Sequence, residues 1–177
     1  TAARLRMVAR LISVAPTLGL KRQIFFVQLG GFDLHGGQVG GHGPLLAELS
    51  GAMKAFYDAT VELGVANQVT TFTASDFGRT YVPNAGGTDH GWGSHQFVMG
   101  GAVRSGLYGS WPALGAKNSA NNDFDSSPDQ LGSGSMLPET SVDQLGATLG
   151  SWFGLSPTQV SDIFPNLPEG SRAWIWN

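Results

Sequence analysis

The stretch QIFFVQLGGFDLHGG, residues 23–37, places a short apolar run directly before a glycine pair, an aspartate and a histidine. The run at residues 23–29 has strand length and is bounded by basic residues before it and by the glycines after it. Such a pattern is typical of a strand that is buried on both faces. We therefore predict a strand over residues 23–29, followed by a loop that carries Asp33 and His35.

A helix and a second strand are predicted downstream of this loop. Apolar residues recur at helical spacing between Pro44 and Gly64, which are typical signals for the start and the end of a helix. β-Branched and aromatic residues then predict a strand over residues 68–74, and a third strand is predicted over residues 95–103. The order strand, helix, strand favours a parallel pair with a right-handed crossover, and hence an α/β fold.

The rest of the chain is predicted to form one domain over residues 1–177 together with these elements. Residues 2–14 have the spacing of an amphipathic helix. Residues 104–139 are mostly polar without helical or strand periodicity, which predicts a long loop excursion. Capping-box patterns that begin at Ser141 and Ser156 predict two short helices near the end.

Composition excludes several classes of function. The net charge is −3 and no run of Lys or Arg occurs, so we expect no nucleic-acid partner. No apolar stretch approaches the roughly 18 residues that span a bilayer, so no membrane span is expected. The chain has no cysteine, and any bound metal must therefore be held by nitrogen and oxygen atoms.

Polar side chains cluster where the predicted strands end. Asp33 and His35 follow the first strand, Asp76 follows the second, and Asp89 and His90 come shortly after. Ligands bind beyond the carboxyl ends of parallel strands, so we expect these loops to share one site. Carboxylate and imidazole ligands without cysteine suit Zn, Mn or Fe, and they fit a catalytic site better than a structural one.

Two further points bear on this predicted site. Arg79 lies three residues after Asp76, where its guanidinium can bind a phosphate, sulfate or carboxylate group with two hydrogen bonds, and it is our candidate catalytic residue. Each residue taken singly also has a plainer interpretation. An aspartate after a strand is often a turn former or helix cap, and histidines such as His35 and His95 are often structural.

Six motifs follow one another along the chain: GGFDLHGGQ, a long helix ending in AFY, SDFGRT, GTDHGWGSHQFVMGG, YGSWP and SVDQLGATLGSWFG. Over about residues 20–165 this series resembles the DUF1501 family of uncharacterised, commonly exported bacterial proteins. That family is similar in turn to the alkaline phosphatase and sulfatase superfamily. The resemblance implies a three-layer α/β/α sandwich with a mixed, mostly parallel sheet, of which this chain holds the C-terminal portion. It also implies a periplasmic or secreted location.

The same resemblance implies metal ligands by position. Asp33 and His35 correspond to an Asp and His pair at one metal, although the superfamily usually separates them further. Asp76 corresponds to the Asp of a second pair, but Phe77 stands where a His is expected. His90 corresponds to the last metal-binding His, with Asp89 as its neighbour or supporting partner. The expected cofactor is a divalent metal, with zinc first and Mn, Fe, Mg or Ca as alternatives.

Three functions remain open from the sequence. The first is a metal-dependent hydrolase, or its C-terminal part, that acts on a small anionic phosphate or sulfate ester. The superfamily takes a nucleophile and a further Asp from an upstream strand and helix, and nothing before residue 23 supplies both. The second is a non-catalytic secreted protein of the same fold that binds a metal or another ligand. The third is a structural or interaction protein in which the glycine-rich loops only form turns.

Overall fold

The computed structural model describes residues 1–115 and 127–167, which contain four α-helices and six short strands. In chain order these elements are α1 (Ala2–Val14), α2 (Gln38–Glu62), β1 (Thr70–Phe72), β2 (Gly78–Pro83), β3 (Thr88–Gly91), β4 (Val98–Gly100), β5 (Gln130–Leu131), β6 (Ser135–Met136), α3 (Val142–Phe153) and α4 (Pro157–Ile163). Single turns of 3₁₀ helix lie at Ala66–Gln68 and Gly132–Gly134.

The strands form three separate antiparallel pairs: β1 with β4, β2 with β3, and β5 with β6. The prediction of a three-layer α/β/α sandwich with a mixed, mostly parallel sheet is therefore wrong. Strand β1 lies within the predicted residues 68–74, but its partner is β4, from the third predicted strand, and the two run in opposite directions. The pairing places Thr70 opposite Gly100 and Phe72 opposite Val98.

The apolar run at residues 23–29 forms neither a strand nor a helix. Its side chains alternate between half-buried and exposed, and Ile24 and Phe26 are 82% and 90% exposed. Within the described part of the chain its backbone makes no hydrogen bond to another main-chain group, and Arg4 Nη1 donates to the Gln28 carbonyl at 2.6 Å. A central strand needs neighbours on both edges, and the described residues bring none to this run.

Local signals predict the helices better than the sheet. Helix α1 confirms the prediction for residues 2–14. Helices α3 and α4 are also confirmed, with a complete capping box at each start. At α3, the Gln144 amide donates to Ser141 Oγ at 3.1 Å, and Gln144 Oε1 accepts from the Ser141 amide at 2.8 Å. These bonds satisfy amide groups that have no partner within the helix.

Helix α2 begins earlier than its sequence predicts. It starts at Gln38, after Gly37 in the left-handed conformation (φ 63°), so that Pro44 lies inside it rather than at its start. The residues before Pro44 include three glycines, which are poor helix formers, and the apolar spacing becomes visible only after the proline. This early start places the loop with Asp33 and His35 directly before the first turn of α2.

The core of the described part is small and mostly helical. Its buried apolar side chains are Ala15, Ala52, Met53, Phe56, Ala147 and Val160. Helix α1 packs against α2, α3 against α4, and the β2–β3 hairpin against β6. The predicted excursion at residues 104–139 contains β5 and β6, while its residues 116–126 lie outside the described part. The single domain over residues 1–177 stays a prediction.

The expected absence of a membrane span is confirmed for the helices of residues 1–115 and 127–167. None of them combines the length and the apolar character that a bilayer crossing requires.

Candidate metal centre

The candidate site forms where the loop before α2 meets the turn of the β2–β3 hairpin. Gly87, in that turn, approaches the loop so closely that a Cβ atom there would lie 2.3 Å from the Leu34 carbonyl oxygen. The Gln38 amide donates to the Gly86 carbonyl at 3.0 Å across the same contact. Because two backbones touch here, side chains of the loop and of β3 come together, among them His35.

Three side chains bring one ligand atom each to a common point. Asp33 Oδ1 lies 2.9 Å from His90 Nε2 and 3.0 Å from His35 Nε2. The two imidazole Nε2 atoms are 3.2 Å apart. Within the described residues this is the one group of three or more such side chains whose ligand atoms converge in this way. The three side chains are 48–56% exposed, so the triangle of ligand atoms is open to solvent.

Hydrogen bonds alone satisfy this triangle poorly. If each neutral imidazole carries its proton on Nε2 and donates to Asp33, the two N–H groups face each other at 3.2 Å. If one Nε2 is unprotonated, its lone pair faces the carboxylate oxygen. A single cation accepts lone pairs from all three atoms at once. Ligand atoms about 2.1 Å from one ion lie about 3.0 Å apart at right angles and about 3.4 Å apart at the tetrahedral angle, so the observed sides of 2.9–3.2 Å are near those of an octahedral site and somewhat shorter than those of a tetrahedral one.

Arg79 holds Asp33 in place. Its Nη2 donates to Asp33 Oδ1 at 2.7 Å and to the Phe32 carbonyl at 2.9 Å, while its Nη1 donates to the Thr88 carbonyl at 2.9 Å. The hydrogen bond with His90 is the main cause that lowers the pKa of the Asp33 carboxyl, desolvation opposes it, and the contact with Arg79 lowers the pKa further. The carboxylate is therefore ionised at neutral pH, as a metal ligand must be.

Asp89 approaches His35 from the other side of its ring. Asp89 Oδ1 lies 3.3 Å from His35 Nδ1, the nitrogen that is not in the triangle. The same oxygen accepts a hydrogen bond from Asn84 Nδ2 at 2.6 Å. The resemblance gave Asp89 as a neighbour or supporting partner of His90, whereas in the structure its carboxylate faces His35 and is not part of the converging group. No feature of the sequence connects Asn84 with this site.

Phe77 supports the ring of His90. The two rings are parallel to within 7° and their centroids are 3.8 Å apart. The Arg79 guanidinium carbon lies 5.3 Å from the centroid of the Phe77 ring. The resemblance implies a histidine ligand at position 77. The residue there is Phe77, and it packs against His90. Asp76 is exposed and takes no part in the converging group, so the described residues bring together one group that could hold a single ion.

We expect Phe77→Ala to weaken zinc binding by about 2- to 13-fold, because ring pairs of this kind contribute roughly 0.5–1.5 kcal/mol and His90 loses its orienting partner. Isothermal titration calorimetry with ZnCl₂ measures the effect. Phe97→Ala is the control, since Phe97 is 53% exposed and its backbone pairs with Thr73 rather than with the loop or hairpin of the site. Equal affinities for Phe77→Ala and the unaltered protein would show that the stacked ring does not support the ligand.

Comparison with known proteins gives one match. The model of the family described as "Protein of unknown function (DUF1501)" matches residues 7–164. No curated protein and no solved structure matches the chain significantly. These comparisons do not connect the chain with the alkaline phosphatase and sulfatase superfamily.

Proposed function

The chain belongs to the DUF1501 family, which has no assigned function, and we propose from the site itself that it binds one divalent metal ion and hydrolyses a small phosphate or sulfate ester. The ligands in this proposal are Asp33, His35 and His90. The observation that carries it is the triangle of their ligand atoms, with sides of 2.9, 3.0 and 3.2 Å.

The chemistry of the ligands favours zinc, manganese or iron. Two imidazole nitrogens and one carboxylate oxygen suit these ions, whereas magnesium and calcium prefer oxygen ligands throughout. Catalytic zinc sites commonly use three protein ligands and leave a position open for water or substrate. The three side chains are about half exposed, which leaves one side of the triangle accessible to a substrate.

A divalent cation held here supplies Lewis acidity and activates water at neutral pH. The protein's contribution is to fix the three ligands and to provide a cationic neighbour. Arg79 fixes Asp33 through a bond of 2.7 Å and offsets its negative charge, so that a bound divalent cation would keep the positive charge that favours an anionic substrate. Its direct binding of the ester stays a prediction, because both Nη groups already bond to the protein.

We infer that water is the attacking group rather than a protein nucleophile. The described side chains that pair or stack with the three ligands are those of Arg79, Asp89 and Phe77, besides the ligands themselves, and none of these carries a serine or threonine hydroxyl. A mononuclear site that acts through water needs no covalent intermediate on the protein.

The test is a paired measurement of metal content and turnover. Protein purified without chelator is expected to contain one equivalent of metal, and the loaded protein to hydrolyse p-nitrophenyl phosphate, bis-p-nitrophenyl phosphate or p-nitrophenyl sulfate. Removal of the metal with EDTA should abolish turnover, and adding the metal back should restore it. If the protein binds none of Zn, Mn or Fe at one equivalent, the proposed metal binding is wrong and the proposed hydrolysis fails with it.

A second candidate is a non-catalytic protein that binds a metal or another ligand. The half-exposed ligands favour it, since enzyme sites commonly bury their substrate in a pocket. Stoichiometric metal binding, together with hydrolysis of none of the three esters, would favour this alternative. A periplasmic or secreted location is compatible with both candidate functions, and it stays a prediction from the family resemblance.

A further inference from the structure

The contact between Asp89 and His35 has a consequence for metal binding. We propose that Asp89, held by Asn84, is a positioning residue whose charge favours the proton of neutral His35 on Nδ1 and so favours a free Nε2 lone pair for a metal ion. This inference rests on the proposed metal site for its effect on affinity. The placement of the proton on His35 can be measured without any metal.

The two nitrogens of His35 have different surroundings. Nε2 faces Asp33 Oδ1 at 3.0 Å and His90 Nε2 at 3.2 Å, while Nδ1 faces Asp89 Oδ1 at 3.3 Å. A neutral imidazole carries one proton, and a nitrogen that binds a metal must not hold it. The negative charge of the Asp89 carboxylate, 3.3 Å from Nδ1, favours a proton on that nitrogen. Such outer partners commonly fix the tautomer and the orientation of metal-binding histidines.

The Asn84 amide donates to Asp89 while its own oxygen is left unpaired among the described residues. Asn84 Nδ2 donates to Asp89 Oδ1 at 2.6 Å, while Asn84 Oδ1 is buried and has no hydrogen-bond partner in the described part of the protein. Rotating the amide by half a turn would set its oxygen against the carboxylate. The observed orientation therefore leaves a buried acceptor unpaired in order to hold the Asp89 oxygen.

The backbone of Asp89 is fixed as well. Its amide donates to Thr80 Oγ1 at 3.1 Å, and the Thr80 side chain is buried within the β2–β3 hairpin. Both the main chain and the carboxylate of Asp89 are thus tied to the hairpin, whereas His35 comes from the loop before α2. Asp89 and His90 are consecutive residues of β3, so the strand that supplies one ligand also orients the other.

The first readout is the tautomer of His35 in the metal-free full chain, from long-range ¹⁵N–¹H NMR at a pH where the imidazoles are neutral. The chain has only four histidines, so single substitutions assign each ring. We expect a larger fraction of Nδ1–H in the unaltered protein and in Asp89→Asn, which keeps an oxygen acceptor, than in Asp89→Ala, where Asp33 Oδ1 at 3.0 Å from Nε2 favours the proton on that nitrogen. An unchanged His35 tautomer in Asp89→Ala would overturn the proposal.

The second readout is zinc affinity by calorimetry. Asp89→Ala should weaken it by about 10- to 100-fold, the usual effect of removing an outer partner, and Asp89→Asn should recover part of the loss. Asp162→Ala, an exposed aspartate on α4, is the control and should bind like the unaltered protein. Equal affinity in Asp89→Ala and the control would overturn the positioning role. If the unaltered protein binds no zinc, the proposed function fails, while the NMR result still decides whether Asp89 sets the tautomer.

Discussion

Replacing His90 with alanine is expected to lower zinc affinity by more than about 100-fold, because loss of an outer partner alone commonly costs 10- to 100-fold and His90 is itself a ligand. His90 Nε2 forms two of the three sides of the triangle, at 2.9 Å to Asp33 and 3.2 Å to His35. Two remaining ligand atoms make a weak site that competes poorly with water and buffer. Competition against a chromophoric chelator measures the affinity, and elemental analysis of the purified variant measures its occupancy.

His95→Ala is the matched control for this experiment. His95 is also exposed, but it stacks on Trp111 with ring centroids 4.6 Å apart and has no contact with the triangle. It should retain full zinc affinity, and both variants should keep the circular dichroism spectrum of the unaltered protein. If both histidine variants lose zinc equally, or if neither does, the metal lies elsewhere and Asp33, His35 and His90 do not form its site.

The helices could be predicted from the sequence because their signals are local. The spacing of apolar residues locates α1, and the capping boxes at Ser141 and Ser156 locate the starts of α3 and α4 to the residue. Helix α2 shows the limit of such signals. Proline at residue 44 is a common first-turn residue, and only the fold reveals that a glycine-rich stretch before it is also helical.

The sheet could not be predicted in the same way, because strand pairing depends on contacts that are distant in the sequence. A short apolar run such as residues 23–29 has the composition of a central strand whether or not neighbours are present. The order strand, helix, strand favours a parallel pair, but the structure pairs β1 with β4 from farther along the chain. Residue types indicate that a segment prefers the strand conformation, but they do not indicate which other strand it will pair with.

The convergence of three of the predicted site residues was expected, but for a reason that the structure does not bear out, and Asp76, predicted for the same site, does not join them. Asp33, His35 and His90 were expected to meet at the carboxyl edge of a parallel sheet, whereas they meet where a loop contacts the turn of an antiparallel hairpin. The chemistry of aspartate and histidine next to glycines was therefore more informative than the predicted topology. The supporting roles of Phe77 and Asn84 were not predictable, since neither residue type indicates a metal site.

Gly87→Ala is expected to reduce zinc affinity by about 100-fold or more without removing any ligand. Its Cβ would lie 2.3 Å from the Leu34 oxygen and 2.5 Å from the His35 carbonyl carbon, where real Cβ contacts stay above 3.0 Å. The difference between 3.0 and 2.3 Å means that the loop must move by at least about 0.7 Å. Metal sites tolerate distance errors of only about 0.2 Å, so His35 would no longer meet His90 at one ion.

Gly36→Ala separates this steric effect from the general cost of altering a glycine. Gly36 is the neighbour of His35, and a Cβ atom there meets nothing within 4 Å. Calorimetry should show near-normal zinc affinity for Gly36→Ala, while thermal unfolding should show that Gly87→Ala loses about 1–3 kcal/mol from overpacking yet remains folded. A folded Gly87→Ala protein with unchanged zinc affinity would mean that the loop and the hairpin need not touch for the metal to bind, and the proposed site would then be misplaced.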